Sequence, residues 1–247
     1  MVSTATIVCI LISLLACTAL PVAVLAVFAV KHKKQGILSA WLLGAAGFFV
    51  TQILIRLPIL TALQSQSWFM AFASNHLVLY GFTLAFTAGL FELAGRFAVA
   101  KLLKRKRMNF DRSLAAGLGH GGTFDEVLAM TAQMGVDVSQ LELIKEQLLT
   151  YSPALFLLGG FERILAMTAH AAMSMLVCYG VAHGKVLPCT LLCLVIHTFI
   201  DLTAVVTMVL PQTTAYIIVY AILTAVAAAS LWILRELRRR WNKEETL

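Results

Sequence analysis

Three apolar segments of this chain are long enough to cross a membrane, and each carries ionisable residues near its middle. A charged group at the centre of a bilayer costs roughly 2.5–3.5 kcal/mol even on the mildest scale, so such side chains usually face a polar cavity inside a helical bundle. The segments and their ionisable residues are 68–100 with Glu92 and Arg96, 153–181 with Glu162, Arg163 and His170, and 186–210 with His197 and Asp201. The sequence therefore predicts a buried polar site between membrane helices.

The composition is typical of a polytopic membrane protein. Hydrophobic residues make up 60% and charged residues 13% of the 247 residues, whereas soluble domains contain about 45–50% apolar and about 25% charged residues. This excludes an ordinary soluble enzyme. We expect an all-α fold in which residues 1–247 form a single membrane domain, with a polar cavity inside the helical bundle.

The excess of basic residues lies at the ends of the apolar segments. The formal net charge is +7, and Lys and Arg cluster at 31–34, 101–107 and 235–243. Basic residues that flank membrane helices mark the cytoplasmic side, where anionic lipid headgroups attract them. We therefore predict membrane lipids and not nucleic acid as a partner, with the N-terminus outside and the C-terminus in the cytoplasm.

The hydrophobic pattern predicts about seven crossings. Membrane helices need about 20 mainly apolar residues, and six segments meet this criterion: 3–30, 36–60, 68–100, 153–181, 186–210 and 213–235. The more polar region 113–134 must cross once if all basic segments lie on one side, and neighbouring helices must then shield it. A re-entrant loop is the alternative for this region. The stretch 136–149 carries apolar residues at helical spacing among charges, which predicts an amphipathic helix at the membrane surface.

His197 and Asp201 form the clearest pair of chemical groups. They are four residues apart, which places both side chains on one face of a helix. A carboxylate bonded to one ring nitrogen fixes the tautomer of the histidine and leaves the other nitrogen as a base or metal ligand. The alternative is a structural hydrogen bond that ties two helices together.

The preceding segment carries a second group, in which Glu162, Arg163 and His170 can border one cavity. His170 and His197 lie at similar depths in consecutive antiparallel helices, so we expect their imidazoles to approach each other. Arg56, in segment 36–60, is a candidate partner for Glu162. The alternative for Glu162 and Arg163 is an ion pair that holds the bundle together.

Two further groups lie towards the cytoplasmic ends of their segments. Glu92 and Arg96 are an i, i+4 pair, although Arg96 could instead extend to the membrane surface. His120 stands within the glycine-rich stretch 117–122, whose small residues allow another helix to approach closely. Because Glu92 and His120 lie on this side, we expect the cavity to open towards the cytoplasm.

Four motifs in this order resemble the YhfC family of bacterial intramembrane metalloproteases: FELAGR at 91–96, GLGHGG at 117–122, FERILAMTAH at 161–170 and HTFID at 197–201. The chain is more distantly similar to the superfamily of CAAX-processing endopeptidases, bacteriocin-processing proteins and the scaffold subunit of γ-secretase. In that superfamily's EExxxR motif, Glu92 and Arg96 match the second Glu and the Arg, whereas Phe91 replaces the first Glu. The resemblance implies a protein of the bacterial cytoplasmic membrane.

The leading hypothesis is an intramembrane peptidase that acts on a membrane-associated peptide or protein. Hydrolysis needs a base that activates water and a group that stabilises the oxyanion. Glu92 or Glu162 is the candidate base, Asp201 orients His197, and the histidines bind the oxyanion or Zn²⁺. The candidate zinc ligands are His120, His170 and His197. The candidate catalytic residues are Glu92, Arg96, His120, Glu162, Arg163, His170, His197 and Asp201.

Two other functions and a metal-free mechanism stay open from the sequence alone. No HExxH motif occurs, so the metal follows from the resemblance, and a glutamate-based mechanism without metal is its rival. A non-catalytic scaffold or immunity-type protein is favoured by Phe91. A small proton-coupled transporter would also use buried Glu, His and Asp side chains, although inverted repeats typical of transporters are not detectable.

Overall fold

The computed structural model describes residues 3–31, 36–105, 108–122, 146 and 149–244, and its regular structure there is helical throughout. A short π-helical segment, Phe49–Arg56, connects α2 to α3 within one continuous helical rod. The α-helices are α1 (Thr4–Lys31), α2 (Ile37–Phe48), α3 (Leu57–Gln64), α4 (Ser67–Asn75), α5 (Leu77–Arg105), α6 (Phe110–Gly122), α7 (Pro153–Ala182), α8 (Val186–Asp201), α9 (Thr203–Val209) and α10 (Gln212–Glu244).

Six helical stretches in the described ranges are long and apolar enough to cross a membrane, which confirms an all-α polytopic fold. They are Thr4–Lys31, Ile37–Gln64, Leu77–Arg105, Pro153–Ala182, Val186–Val209 and Gln212–Lys243. The seventh predicted crossing, 113–134, is helical up to Gly122, and its remainder lies outside the described residues. The same holds for nearly all of the predicted surface helix at 136–149.

Two of the predicted segments are interrupted. Segment 68–100 is divided between α4 and α5 at His76, whose φ of −133° and ψ of 55° are not helical. Segment 186–210 is divided at Leu202, between α8 and α9. Apolar composition alone does not reveal such breaks, because the residues on both sides of each break are equally suited to a membrane.

Helix α7 lies at the centre of the bundle, and most of its length is buried, whereas α1 is almost entirely exposed. Helix α7 packs against α1, α5, α6, α8 and α10. Helix α6 is inserted between α2 and α7, and the closest approaches are at Gly44 against Ala116 and at Gly119 against Trp41. This insertion explains how a helix rich in Gly and polar residues can lie within a membrane domain, since neighbouring helices shield it.

Several helix ends rich in Lys and Arg meet at one end of the bundle, called the basic end below. Lys104 Nζ donates a hydrogen bond to the carbonyl of Val181 at 2.8 Å, which joins the ends of α5 and α7. Trp241, near the end of α10, packs its ring 6.2 Å from that of Phe110 at the start of α6. The basic end includes Lys31, Lys101, Lys104, Arg105, Arg112, Lys185, Arg235, Arg238, Arg239, Arg240 and Lys243. Most of the described Lys and Arg residues therefore lie on one side of the bundle.

Candidate functional site

Four buried or half-buried side chains, one from each of four helices, converge on Oε2 of a fifth residue, Glu92. Arg96 Nη2 lies 2.8 Å from this oxygen and His197 Nε2 lies 2.9 Å from it. His120 Nε2 is at 3.3 Å and His170 Nδ1 at 3.5 Å. We call these five residues the Glu92 cluster. The sequence predicted each of them as a site residue, and the structure brings them together.

Glycines allow the four helices to approach closely enough to form the Glu92 cluster. A methyl group at Gly121 would lie 2.2 Å from Cβ of His170, so α6 and α7 can be in contact there only because position 121 has no side chain. A methyl group at Gly89 would lie 3.4 Å from Cβ of His197, which is ordinary van der Waals contact, so α5 and α8 are in contact there but less closely. Small residues at such crossings are what brings the backbones of membrane helices together.

Arg96 is buried inside the cluster and does not extend to the membrane surface, which excludes that alternative. Its Nη2 lies 2.7 Å from His170 Nδ1 and its Nε donates to Ser174 Oγ at 3.3 Å. Only 2% of Arg96 is exposed. The guanidinium therefore neutralises Glu92 within the bundle, where an unpaired carboxylate would be very costly.

Asp201 lies beside His197, as the sequence predicted. The distance between Asp201 Oδ2 and His197 Nδ1 is 3.3 Å. The ring centres of His170 and His197 are 5.7 Å apart, so the two imidazoles do approach each other. The side chain of Asp201 is 32% exposed, against 4% for His197. The pair therefore has one member inside the cluster and one at its edge.

A cavity of about 240 Å³ adjoins the Glu92 cluster. Its lining contains charged, polar and apolar side chains from α2, the π-helical segment, α3, α5, α6, α7 and α8. The lining residues are Phe48, Gln52, Ile53, Arg56, Leu57, Ala88, Glu92, His120, Gly121, Arg163, His170, His197 and Asp201. A polar cavity inside the bundle was predicted, and the structure contains one.

The cavity extends from Glu92 away from the basic end. Helix α5 runs towards the basic end, so residues that precede Glu92 lie on the opposite side of the cluster. Gln52 and Arg56 line the cavity there and donate hydrogen bonds to the carbonyls of Ala88 and Leu84. The expected direction, towards the basic clusters, is therefore wrong for the described residues. The prediction used the depth of Glu92 and His120 in the membrane, and this depth does not show on which side of the two residues the cavity lies.

Gln52 and Arg56 are cavity residues that sequence reasoning did not place. Both belong to the π-helical segment, in which the N–H of Leu57 bonds to the carbonyl of Gln52, five residues back. Such wide turns rotate the side chains that follow and are frequent at functional sites. Arg56 was noticeable as a charge in an apolar segment, but regular 3.6-residue periodicity could not show which way it points.

Glu162 and Arg163 face different sides of α7. Arg163 is buried, lines the cavity and donates a hydrogen bond to the carbonyl of Gly121 at 2.9 Å. Glu162 is exposed on the side of α10, where it accepts a hydrogen bond from Tyr220 at 3.1 Å. Consecutive residues of a helix point about 100° apart, so only one of the two can face the cavity. Glu162 therefore does not border the cavity with Arg163 and His170.

Glu92, His120 and His170 fit a metal ion in the type and spacing of their donor atoms. Each offers one atom, and the three atoms lie within 4.8 Å of one another. Two imidazoles and one carboxylate are a set that catalytic zinc sites use together with a water. Nδ1 of His120 is buried without a hydrogen-bond partner in the described part of the chain, which leaves it available to a ligand. His197, also predicted as a ligand, contacts Glu92 but does not belong to this group.

A match to a known protein family covers the part of the chain that carries the site. The family described as YhfC intramembrane metalloprotease matches residues 17–224, which include every member of the Glu92 cluster. The chain is also 26% identical over 235 residues to the "Uncharacterized membrane protein YhfC" of Bacillus subtilis (strain 168), across 84% of this chain and 88% of that protein. No solved structure matches the chain.

Proposed function

This chain belongs to the YhfC intramembrane metalloprotease family, and we propose that it hydrolyses peptide bonds of membrane-associated substrates in the cavity beside Glu92. The observation that carries this proposal is the state of the Glu92 carboxylate. Four nitrogens surround Oε2, and the same residue lines the cavity. The carboxylate is therefore held in place beside a space that a water can enter.

Glu92 is the base in this proposal. A base must be within hydrogen-bond reach of the water that it activates, and Glu92 is a carboxylate that lines the cavity. Its carboxylate accepts the proton of the attacking water, while Arg96, 2.8 Å from Oε2, keeps the carboxylate in position. The second candidate base, Glu162, lies outside the cavity.

His197 stabilises the oxyanion that forms when water adds to the peptide carbonyl. It lines the cavity next to Glu92, and Asp201 lies 3.3 Å from its Nδ1. In this proposal both ring nitrogens carry a proton, because each faces a carboxylate oxygen: Nδ1 faces Asp201, and Nε2 lies 2.9 Å from Glu92 Oε2. The N–H at Nε2 is then the donor to the oxyanion. A preorganised hydrogen-bond donor at an oxyanion is worth about 10²–10³ in rate in other hydrolases.

Glu92, His120 and His170 would hold a zinc ion, which when bound polarises the peptide carbonyl and lowers the pKa of its water. Arg96 restricts this binding. Its Nη2 lies 2.8 Å from Glu92 Oε2 and 2.7 Å from His170 Nδ1, so a positive charge already lies between two of the three residues that would hold the ion. This charge repels a cation at the same place.

The orientation in the membrane decides from which side a substrate reaches Glu92. We place the basic end in the cytoplasm and the N-terminus outside, since Lys and Arg flanking membrane helices are retained on the cytoplasmic side. The cavity extends away from the basic end and thus towards the outer half of the membrane. Substrates of this enzyme are then membrane-associated peptides or proteins that enter from the outer half.

Cleavage by the purified protein tests the proposal. The protein is incubated in detergent and in liposomes with a library of apolar peptides, and the products are identified by mass spectrometry, with and without a zinc chelator. We expect defined cleavage products with the wild-type protein and none with Glu92→Gln. Cleavage that persists in Glu92→Gln would disprove the assignment of the base.

A non-catalytic scaffold is the second candidate, and one observation favours it. Arg96 already neutralises Glu92 and contacts His170, and Phe91, which replaces the first Glu of the related EExxxR motif, is not part of the cavity lining. A folded protein that binds no zinc and cleaves no peptide under any of these conditions would establish the scaffold and exclude the peptidase.

A further inference from the structure

A second, smaller cavity lies between α7, α8 and α10 and shares part of its wall with the large cavity. His170, His197 and Asp201 line both cavities. Among the described residues, α10 contributes Leu223 and Val226 to the smaller cavity and no residue to the larger one. We call the smaller cavity the side pocket. A substrate bound beside the two histidines therefore has a second space within reach, on the side of α10.

Two alanines of α7 leave the space of the side pocket open. Its volume is about 20 Å³, whereas a single water needs about 10–15 Å³, so the pocket has room for one or two heavy atoms. Ala166 and Ala169 contribute only methyl groups to the lining, next to the longer side chains of Leu165 and Met173 on the same helix. A longer side chain at position 166 or 169 would fill the pocket.

The lining of the side pocket favours an apolar occupant over a water. A buried water makes about three hydrogen bonds. The polar groups of the wall already face other groups of the protein, since His197 lies between Glu92 Oε2 at 2.9 Å and Asp201 Oδ2 at 3.3 Å, and Nδ1 of His170 lies 2.7 Å from Arg96 Nη2. The other residues of the lining are apolar. A methyl group that leaves water for this surface is therefore stabilised by the hydrophobic effect.

We propose that the side pocket binds the side chain of the substrate residue whose carbonyl is attacked, and that it accepts only small residues such as Gly, Ala and Ser. This inference rests on the proposed peptidase function, in which His197 donates to the oxyanion. The Cα of that substrate residue is about 1.5 Å from the carbonyl carbon, so its side chain begins beside His197, which belongs to the wall of the pocket. Ala166, Ala169 and Leu223 then determine, by the size of the pocket, after which residue the substrate is cleaved.

The large cavity does not select side chains by size in this way. Its volume of about 240 Å³ leaves room for the substrate on both sides of the cleaved bond. Its lining also contains the charged residues Arg56, Arg163 and Asp201, so it is polar where the side pocket is mostly apolar. The substrate backbone and most side chains therefore occupy the large cavity, and one small side chain occupies the side pocket.

Cleavage of peptides that differ at one position tests the side pocket. The full-length protein in detergent is incubated with peptides of Leu and Val in which one central position is Gly, Ala, Ser, Val or Leu. An acetyl group and an amide block the two ends, so that no terminal charge contributes. Mass spectrometry identifies the cleaved bonds, and kcat/KM is measured for each peptide. We expect cleavage after Ala to exceed cleavage after Leu by at least about tenfold, because one extra methylene in a closed pocket is worth about 10–200-fold.

Two variants change the size of the side pocket in opposite directions. Leu223→Ala removes three carbons from the lining and should abolish most of the preference for Ala over Leu. Ala166→Val adds two carbons and should shift the preference from Ala to Gly. A ratio of two kcat/KM values from one protein preparation does not depend on the amount of folded protein, so a loss of stability alone does not change it.

The matched control is Leu237→Ala. Leu237 is also on α10 and is equally buried, with 6% of the residue exposed against 7% for Leu223, but it lines neither cavity. This variant should keep the wild-type preference. Equal cleavage after Ala and after Leu by the wild-type protein, an unchanged preference in Leu223→Ala, or the same change in both leucine variants would overturn the inference. The side pocket would then be a packing defect.

A binding measurement separates the failure of this inference from the failure of the proposed function. The shift in thermal unfolding of the wild-type protein is recorded with the same blocked peptides. Cleavage that does not depend on the size of the varied residue leaves the peptidase intact and overturns the role of the side pocket. No cleavage of any peptide, together with tighter binding of the Ala peptide than of the Leu peptide that is lost in Leu223→Ala, overturns the peptidase and retains the pocket. Neither cleavage nor binding that depends on size overturns both.

Discussion

Glu92 and Glu162 are both carried by membrane-length helices, but they lie in different surroundings. Glu92 is on α5, is buried, and has an arginine and three histidines around one oxygen. Glu162 is on the exposed side of α7, where Tyr220 donates a hydrogen bond to it. Its neighbour Phe161 stacks on the ring of Tyr220 at 6.2 Å. The first region is a polar site enclosed by helices, and the second is a contact between α7 and α10.

The difference shows that an ionisable residue in an apolar segment is only a starting point for a functional assignment. Both glutamates satisfied the same sequence criterion, since each stands inside a membrane segment within one helical turn of another ionisable residue. What separates them is the side of the helix on which they lie and the residues that other helices bring to that side. A buried carboxylate among basic groups can do chemistry, whereas an exposed one beside a tyrosine can be satisfied by a hydrogen bond alone.

The largest expected difference between the two regions is in the rate of peptide cleavage by the variants Glu92→Gln and Glu162→Gln. Loss of the proposed base should lower cleavage of apolar peptides by about 10³-fold, within the range that a general base contributes. Glu162→Gln keeps an acceptor for Tyr220 and should cleave at nearly the wild-type rate. Rates are measured by mass spectrometry at equal concentrations of folded protein. Comparable losses in both variants would remove the distinction between the regions.

A second contrast concerns packing, with Gly119 on α6 and Gly159 on the exposed side of α7. A methyl group at Gly119 would lie 2.0 Å from the carbonyl oxygen of Trp41, whereas one at Gly159 would meet nothing within 4 Å. Gly119→Ala should therefore destabilise the protein by about 1–3 kcal/mol or more, as overpacking does. Gly159→Ala should be neutral or stabilising by up to about 1 kcal/mol, because alanine is the better helix former. Thermal unfolding in detergent measures both, and equal stability of the two variants would contradict the close packing of α6.

A third prediction concerns the cation that the Glu92 cluster holds. Arg96→Gln removes a positive charge that lies within 3 Å of an atom of Glu92 and of an atom of His170, two of the residues that would hold zinc. We expect zinc to bind the variant at least about tenfold more tightly, since the charge repulsion is removed. Affinity is measured by titration against a chelator, with Arg239→Gln at the basic end as the matched control. Weaker zinc binding by Arg96→Gln would show that Arg96 positions the donors and does not compete with the metal.

The sequence was sufficient to predict the members of the Glu92 cluster because their spacing and depth follow from regular helices. Glu92 and Arg96 are one turn apart, and His170 and His197 lie at similar depths on consecutive helices; neither relation depends on how the bundle packs. Gln52 and Arg56 face the cavity because they belong to a π-helical segment. The hydrophobic periodicity of the sequence does not reveal such a segment. The outward position of Glu162 and the direction of the cavity depend on how α7, α8 and α10 surround each other. These relations are set by packing, which a single sequence does not encode in its periodicity.

The smallest expected effect is that of Tyr220→Phe, which removes the hydroxyl that donates to Glu162 at 3.1 Å and keeps the ring that stacks on Phe161. Loss of one partly exposed hydrogen bond should change stability by about 0.5–1.5 kcal/mol at most, and the rate of peptide cleavage should stay within about twofold of wild type, because the change lies outside the cavity. The two quantities are measured by thermal unfolding and by mass spectrometry. A loss of cleavage well beyond twofold, with stability preserved, would mean that the Glu162 region belongs to the site. The difference between the two glutamates would then be one of degree, and the region between α7 and α10 would have to be included in the path of the substrate.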